Sequence, residues 1–184
     1  MLPPLCLHRS GTRHRVLDSE PWWRRDQARL ERDAAEIRAS FPNLEPLSEA
    51  GRGWAGRLPL WPFDRAAPVA FAENVLGLEI VLLFPQSYPM AMPQVIPVDP
   101  EPEFVERTQH RWHVNGDGSL CMLQEQRNWT GREKVTELLL KAAGWRLEYE
   151  LVRAGTFPAM SLIGIVTDPS RDSAIAHHYG AESK

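Results

Sequence analysis

The sequence lacks any long hydrophobic run. Its longest apolar stretch, residues 78–85, contains Glu79, whereas a membrane-spanning helix needs roughly 20 consecutive apolar residues. At the N-terminus the apolar residues precede the basic ones, which is the reverse of the order in a secretory signal. We therefore expect a cytoplasmic protein with no membrane partner.

Cysteine is scarce, and the chain carries little net charge. Cys6 and Cys121 are the only two cysteines in 184 residues. They could form at most one disulfide, and a cytoplasmic chain of this size does not need one. The net charge of -3 excludes a strongly basic nucleic-acid-binding protein. We therefore expect no nucleic-acid partner.

The sequence does have enough apolar residues for one domain. Hydrophobic residues make up 43% and charged residues 24% of the chain, which is typical of a globular protein with a real core and not of a disordered or fibrous one. We expect three parts: a basic N-terminal arm at 1–18, a domain at 19–155, and a C-terminal extension at 156–184.

Apolar residues at helical spacing predict two helices. Between residues 21 and 39 they recur at three- and four-residue steps, while arginines occupy the other side. Phe41 and Pro42 end this helix, because a residue before proline is steered out of the helical region. A second helix is predicted to begin at Thr130, since Thr130 and Glu133 form a capping-box sequence. Its predicted apolar face comprises Val135, Leu138, Leu139, Ala142, Trp145 and Tyr149.

Short apolar runs between the two helices predict an antiparallel meander. The predicted strands are residues 54–60, 69–72, 76–84 and 94–98, with a loop at 62–68. A proline-rich segment at 84–95 cannot be a central strand or a helix, so we expect a rigid extended turn there. Helices at both ends of a meander indicate an α+β fold.

A possible nucleophile lies in residues 99–129, which show no periodicity. The sequence Gly-Asp-Gly at 116–118 predicts a tight turn that brings Cys121 beside His113 and Asn115. A cysteine thiolate can attack an acyl group, hold it as a thioester and pass it on. A side-chain amide can donate to the oxyanion of that transfer. A lone cysteine is more often a small buried hydrophobe, so the residues alone leave both interpretations open.

Four motifs follow one another in a fixed order between residues 84 and 129. They are Phe84-Pro85-x-x-Tyr88-Pro89-x-x-x-Pro93, then His113-x-Asn115, then Gly118-Ser119-Leu120-Cys121, then Trp129. In order and spacing this series resembles the ubiquitin-conjugating enzyme family, and the likeness covers residues 21–152. The resemblance implies a ubiquitin-conjugating-enzyme-like fold: an N-terminal helix, a four-stranded antiparallel meander, an active-site loop, and a C-terminal helix or helices packed on the sheet.

The resemblance also implies a reaction. An activating enzyme would load the C-terminal carboxyl of a ubiquitin-like protein onto Cys121 as a thioester, and an amine, usually a lysine of a protein substrate, would then attack it. The family's histidine mainly holds the loop and its asparagine serves the oxyanion or the loop, roles that fall on His113 and Asn115. Glu125 is a candidate acidic helper for the incoming lysine. No cofactor is implied, since the thioester already stores the energy.

Further residues receive supporting roles from the resemblance. Those matching the family's structural loop and the packing position after the active site are Tyr88, Pro89, Pro93 and Trp129. The family's first helix offers basic residues to the activating enzyme. The candidate docking residues on that helix are Arg24, Arg25, Arg29 and Arg32. The other interpretation of these arginines is a solvated helix face.

The chain departs from the common eukaryotic pattern at several points. Val114 replaces the proline of the family's His-Pro-Asn motif, the interval from His113 to Cys121 is shorter, and both the 62–68 insertion and the tail after Val152 are unusual. Such divergence resembles the bacterial branch of the family, encoded in antiphage defence operons. Its partners are ubiquitin-like proteins, or a cGAS-like nucleotidyltransferase whose own C-terminus is conjugated, and the residues leave both possibilities open.

Two other interpretations remain. His110, His113 and Cys121 are zinc-type ligands, but a structural site needs a fourth ligand and only Asp117 is near in sequence; we predict no metal. The chain could also be a non-catalytic binding module with the same fold. Inactive relatives of the family usually lack the cysteine, which favours the enzyme.

Overall fold

The computed structural model describes residues 20–122 and 129–180, so the predicted arm at 1–18 lies outside the described residues. The helices are α1 (Trp22–Arg25), α2 (Gln27–Ser40), α3 (Val135–Arg153) and α4 (Asp172–Tyr179). The strands are β1 (Leu44–Pro46), β2 (Gly53–Arg57), β3 (Glu79–Leu83) and β4 (Gln94–Asp99). Short 3₁₀ turns lie at Glu106–Thr108, His110–Trp112 and Pro169–Arg171.

The predicted N-terminal helix is present but divided at Asp26. The Asp26 carboxylate accepts a hydrogen bond from the backbone N–H of Arg29 at 3.0 Å and so caps α2. The backbone N–H of Asp26 also closes α1 by donating to the Trp22 carbonyl at 2.9 Å. Trp22 and Ile37, one from each helix, are almost fully buried in the core.

The four strands form one antiparallel sheet in the order β1-β2-β3-β4. This confirms a four-stranded antiparallel meander and the α+β class, but β1 (Leu44–Pro46) is not among the predicted strands. Ile80 and Leu82 of β3, together with Leu78 just before it, have no exposed surface. Their two-residue spacing puts all three on the core side of the sheet. β3 begins later than predicted, at Glu79.

The strand predicted at 69–72 is wrong. Phe71 makes only a single bridge, to Gly180, and no ladder with the sheet. Its ring packs against Trp61 and Tyr179, at 5.8 and 5.9 Å between ring centroids. The apolar character that suggested a strand therefore serves a contact with the C-terminal helix.

The predicted start of the second long helix is also wrong, although its capping bonds exist. Thr130 and Glu133 bond to each other, the Thr130 N–H donating to Glu133 at 2.9 Å and its hydroxyl at 2.8 Å. Yet α3 begins only at Val135. The guanidinium of Arg29 binds the carbonyls of Gly131 and Glu133, at 2.5 and 3.2 Å. Gly131 has a left-handed φ of +80° and Lys134 an extended ψ of 137°, and neither conformation belongs to an α-helix, so the segment is a loop.

Helix α3 is buried on nearly every side. The face predicted from its spacing packs in the main core with the sheet. Leu147 and Leu151 face the other way, into a second cluster with Ile165, Ile175 and Tyr179. The described part of the predicted C-terminal extension therefore packs on the domain.

The second cluster also fixes the 62–68 loop. Arg65 bonds both carboxylate oxygens of Asp172 at 2.8 and 3.2 Å and the carbonyl of Val166 at 2.6 Å. The Tyr179 hydroxyl donates to the carbonyl of Leu147 at 3.0 Å. Among residues 20–122 and 129–180, no helix has the length and apolar character needed to cross a bilayer.

Candidate active site

The turn predicted before Cys121 is a small hairpin attached to the sheet. Val114 and Leu120 pair as an antiparallel bridge, and the Cys121 N–H donates to the carbonyl of His113 at 2.8 Å. The Leu120 N–H donates to the carbonyl of Val95 in β4, also at 2.8 Å. The last residue of the hairpin, Cys121, is thus held at the sheet, and its side chain is exposed.

The tip of the hairpin is held by side chains. Asp117 accepts hydrogen bonds from the Ser119 N–H at 3.0 Å and from its hydroxyl at 2.6 Å. These bonds keep the pKa of Asp117 below its usual value. The amide of Gln94 in β4 donates to the other Asp117 oxygen at 3.1 Å. Gly118 has a φ of +88°, which the turn requires and which glycine adopts without steric cost.

The hairpin lies beside a cavity of about 800 Å³, into which Cys121, His113 and Asn115 all face. Lys141, Trp145 and Glu148 line it from α3. The C-terminal segment at 160–164 forms a further wall. This volume is typical of clefts that hold a ligand. The three residues predicted to act together are therefore brought to one place.

His113 holds the base of the hairpin through its backbone. Its φ of +51° is left-handed and turns the chain from the 3₁₀ turn at His110–Trp112 into the hairpin. Burial, Arg171 and His110 together lower the pKa of its imidazole, which favours the neutral form. This placement fits the loop-holding role that the resemblance implies for His113.

Asn115 bonds within the hairpin. Its Nδ2 donates to the Ser119 hydroxyl at 3.0 Å and, more weakly, to the Leu120 carbonyl at 3.4 Å. A side-chain amide carries two N–H donors, so both of them face hairpin acceptors. This geometry favours the loop-stabilising part of the predicted role over the oxyanion part.

The C-terminal wall of the cavity is fixed by a buried carboxylate. Glu148 is only 3% exposed; it pairs with Arg171 at 2.7 Å and accepts the Ser161 N–H at 2.9 Å. Burial raises the pKa of Glu148. The Met160 N–H also donates to the carbonyl of Arg111 at 3.0 Å. These contacts join the tail to the stretch that precedes the hairpin.

Three of the residues assigned to the scaffold contact one another: the rings of Tyr88 and Trp129 are 6.4 Å apart, and Trp129 bonds Pro89. Tyr88 is 2% exposed, and its hydroxyl donates to the carboxylate of Asp33. The Trp129 indole donates to the carbonyl of Pro89 at 2.8 Å, and Pro93 is buried. Such contacts are structural.

Arg29 is not available to a docking partner. Its side chain is 8% exposed, and its guanidinium bonds Asp33 at 2.7 Å and the Tyr88 oxygen at 2.6 Å. This corrects the expectation that Arg29 offers its charge to an activating enzyme. The guanidinium is buried and its donors already bond groups inside the protein. Arg24, Arg25 and Arg32 are exposed and remain candidates.

Two cavity residues escaped the sequence analysis, Lys141 and Glu148. Both sit in a helix whose other residues are mostly buried, and a charged residue among buried ones is the signal that could have marked them. The cavity that they line is formed with the hairpin, which precedes α3 in sequence, and with residues 160–164, which follow it. The helix sequence alone therefore does not reveal this cavity.

The remaining predictions concern Glu125 and a metal. Glu125 lies outside the described residues, so its role stays a prediction. Among the residues that the structure describes, no group of three or more His, Cys, Asp or Glu side chains is arranged to hold a metal ion.

Comparison with known proteins gave no identification. Neither a protein-family model nor a curated protein matches this chain.

Proposed function

We propose that this protein is a bacterial conjugating transferase of the ubiquitin-conjugating type, with Cys121 as its nucleophile. Cys121 would carry the C-terminal carboxyl of a ubiquitin-like protein, or of a cGAS-like nucleotidyltransferase, as a thioester. It would then pass this group to an amine, usually a lysine of a protein substrate. Antiphage defence is the setting that we propose from the sequence resemblance.

The observation that carries this proposal is the position of Cys121. The side chain is exposed at a cavity of about 800 Å³, while the neighbouring hairpin residues Leu120 and Met122 are buried. A thiol that must exchange with a protein thioester needs this access, because both the donor tail and the acceptor amine have to reach the same sulfur. A cysteine kept only for packing would be buried like its neighbours.

The surrounding architecture supports the same proposal. The order of helix, four-stranded meander, site hairpin and long helix is the order that a ubiquitin-conjugating-enzyme-like fold requires. Exposed Arg24, Arg25 and Arg32 on the first helices are the basic residues that we propose for docking of the activating enzyme.

The test is a loading assay with ATP, an activating enzyme, and a ubiquitin-like protein or nucleotidyltransferase, each identified among the neighbouring genes. We expect a covalent adduct that a thiol reductant removes. Cys121→Ala should form none, and Cys121→Ser should form an ester that resists the reductant. Cys6→Ala is the matched control and should load like the wild type.

One result of the loading assay would refute the transferase proposal. If the wild-type protein binds these partners but never forms the adduct, the transferase proposal fails and the non-catalytic binding module takes its place.

A further inference from the structure

We propose that Lys141 donates the charged hydrogen bond that stabilises the oxyanion during transfer from Cys121. This inference rests on the function proposed above and assigns to Lys141 a role that the sequence analysis gave to Asn115. Its basis is the position of the Lys141 ammonium, the occupied donors of Asn115, and the pairing of other basic groups at the cavity.

The Lys141 ammonium contacts the residue that directly follows the reacting cysteine. Its Nζ is 3.4 Å from the carbonyl oxygen of Met122, and Met122 follows Cys121 directly, with adjacent Cα atoms about 3.8 Å apart. Lys141 and Cys121 line the same cavity. Because a lysine carries three donors on a flexible four-carbon stem, Nζ can reach the space beside the Cys121 sulfur.

Lys141 is also held weakly in this position. The 3.4 Å contact to Met122 exceeds the usual 2.7–3.2 Å range of N–H···O hydrogen bonds. Among the described residues no carboxylate pairs with Lys141. The ammonium therefore loses only a weak hydrogen bond to Met122 when it turns to a new acceptor. Because Lys141 is half-buried, its hydrogen bond to an anionic oxygen is stronger than it would be in water.

Other cavity groups that could donate to the oxyanion differ from Lys141 in their partners or their charge. The Asn115 amide donates within the hairpin, to Ser119 and to the Leu120 carbonyl. Arg107 also lines the cavity; its Nη2 pairs with Glu101 at 2.7 Å, while its buried Nε has no hydrogen-bond partner among the described residues. The lowered pKa of His113 favours its neutral form. Lys141 thus combines a contact with the residue after Cys121 with a charge that no described carboxylate pairs.

The step balances without any further reactant. The nitrogen of a neutral acceptor amine attacks the acyl carbon, a C–N bond forms, and the carbonyl π electrons move to the oxygen, where the Lys141 ammonium holds the developing negative charge. The intermediate then collapses, the C–S bond breaks, and Cys121 leaves as a thiolate. The proton lost by the amine passes to water, and Lys141 stays protonated throughout.

The test uses the full chain and a fluorescent synthetic peptide α-thioester that ends in glycine. The peptide is exchanged onto Cys121, excess peptide is removed, and discharge to free lysine is followed in a single turnover. Loading should reach the same extent in every variant, because the equilibrium between two thioesters does not depend on the oxyanion donor. The discharge rate is the quantity that reports on Lys141.

Three variants separate charge from structure. Lys141→Met should slow discharge by about 100-fold, the usual effect of removing one oxyanion donor, while Lys141→Arg should keep most of the rate because it keeps the cation. Lys134→Met is the matched control, since Lys134 pairs with Glu36 at 3.5 Å and does not line the cavity; it should discharge like the wild type. Lys141→Gln replaces Lys141→Met if urea unfolding shows that the latter does not fold.

Several results would overturn the inference. Discharge of Lys141→Met within about threefold of the wild type would show that the ammonium is not needed. Equal slowing in Lys141→Arg and Lys141→Met would show that charge is not the relevant property. A reductant-resistant peptide adduct on Lys141 itself would make it an acceptor and not a donor. If the wild type forms no thioester on Cys121 in the activating-enzyme assay, the proposed function fails and the inference fails with it; if that assay succeeds, only the discharge rates decide the inference.

Discussion

Replacing Arg29 tests whether this arginine belongs to the core or to a docking face. The change is Arg29→Met, which keeps much of the apolar stem and removes the guanidinium. That group makes five hydrogen-bond contacts, to Asp33, the Tyr88 hydroxyl, and the carbonyls of Gly131 and Glu133. It thereby joins α2 to the proline-rich loop and to the segment before α3.

The expected cost follows from the burial of its partner. Asp33 is 2% exposed, and removing one member of a buried ion pair costs about 3–5 kcal/mol. Arg32 still reaches Asp33 at 3.0 Å, but its own side chain is 47% exposed, so we expect a value near the lower end. For a chain of this size each kcal/mol lowers the melting temperature by roughly 2–4 °C. The expected drop in melting temperature is therefore about 6–12 °C.

The assay is urea unfolding together with thermal melting of purified variants. Arg24→Met and Arg25→Met are matched controls at exposed positions of α1 and should stay within about 0.5 kcal/mol of the wild type. The double variant Arg29→Met/Asp33→Leu should lose less than Arg29→Met alone, because it no longer leaves a buried carboxylate without its main partner. If Arg29→Met is as stable as Arg25→Met, the assignment of Arg29 to the core is refuted.

Two further predictions concern the site hairpin. Gly118→Ala should lower the free energy of unfolding in urea by about 1–2 kcal/mol, because an alanine at a φ of +88° is strained and its Cβ would lie 3.1 Å from Arg107. Gly116→Ala is the control, since its Cβ would meet nothing within 4 Å. Equal stability of the two variants would contradict the expected strain at Gly118. His113→Asn should flatten the loss of stability at acid pH. In the folded protein the pKa of His113 is lowered from 6.5. The neutral imidazole therefore contributes fully to the stability of the fold above pH 6.5, and this contribution is lost as the pH falls toward the pKa of the folded state. Between pH 7.5 and pH 5.5, the melting temperature of His113→Asn should therefore fall less than that of the wild type or of the exposed control His177→Asn. A pH dependence like that of the wild type would show that His113 does not contribute to the loss of stability in acid.

Much of the fold could be predicted because its signals are local. The alternation around Ile80 and Leu82 and the helical spacing through α3 each depend on residues close in sequence. The errors arose where a distant partner decided the outcome. Phe71 packs on Tyr179 and not in the sheet, and Arg29 binds the carbonyls of Gly131 and Glu133 in the loop that precedes α3.

In the candidate site, too, features set by neighbouring residues could be predicted and features set by distant contacts could not. The glycines at 116 and 118 predicted the turn, because a left-handed backbone is a property of the residue that adopts it. Neither Lys141 nor Glu148 could be assigned, since each acts through a contact with a segment far along the chain: Met122 for Lys141, and Ser161 and Arg171 for Glu148.

The sequence by itself determined the two long helices, the strands β2, β3 and β4, the turn before Cys121 and the chemistry that a thiol could perform there, because periodicity, turn preference and nucleophilicity are properties of short segments. Only the tertiary structure decided that this thiol is exposed at a cavity, that Arg29 is internal while Arg25 is not, and that the tail at 160–164 completes the cavity wall. Burial and proximity depend on which distant segments meet, and that is settled by packing of the whole chain.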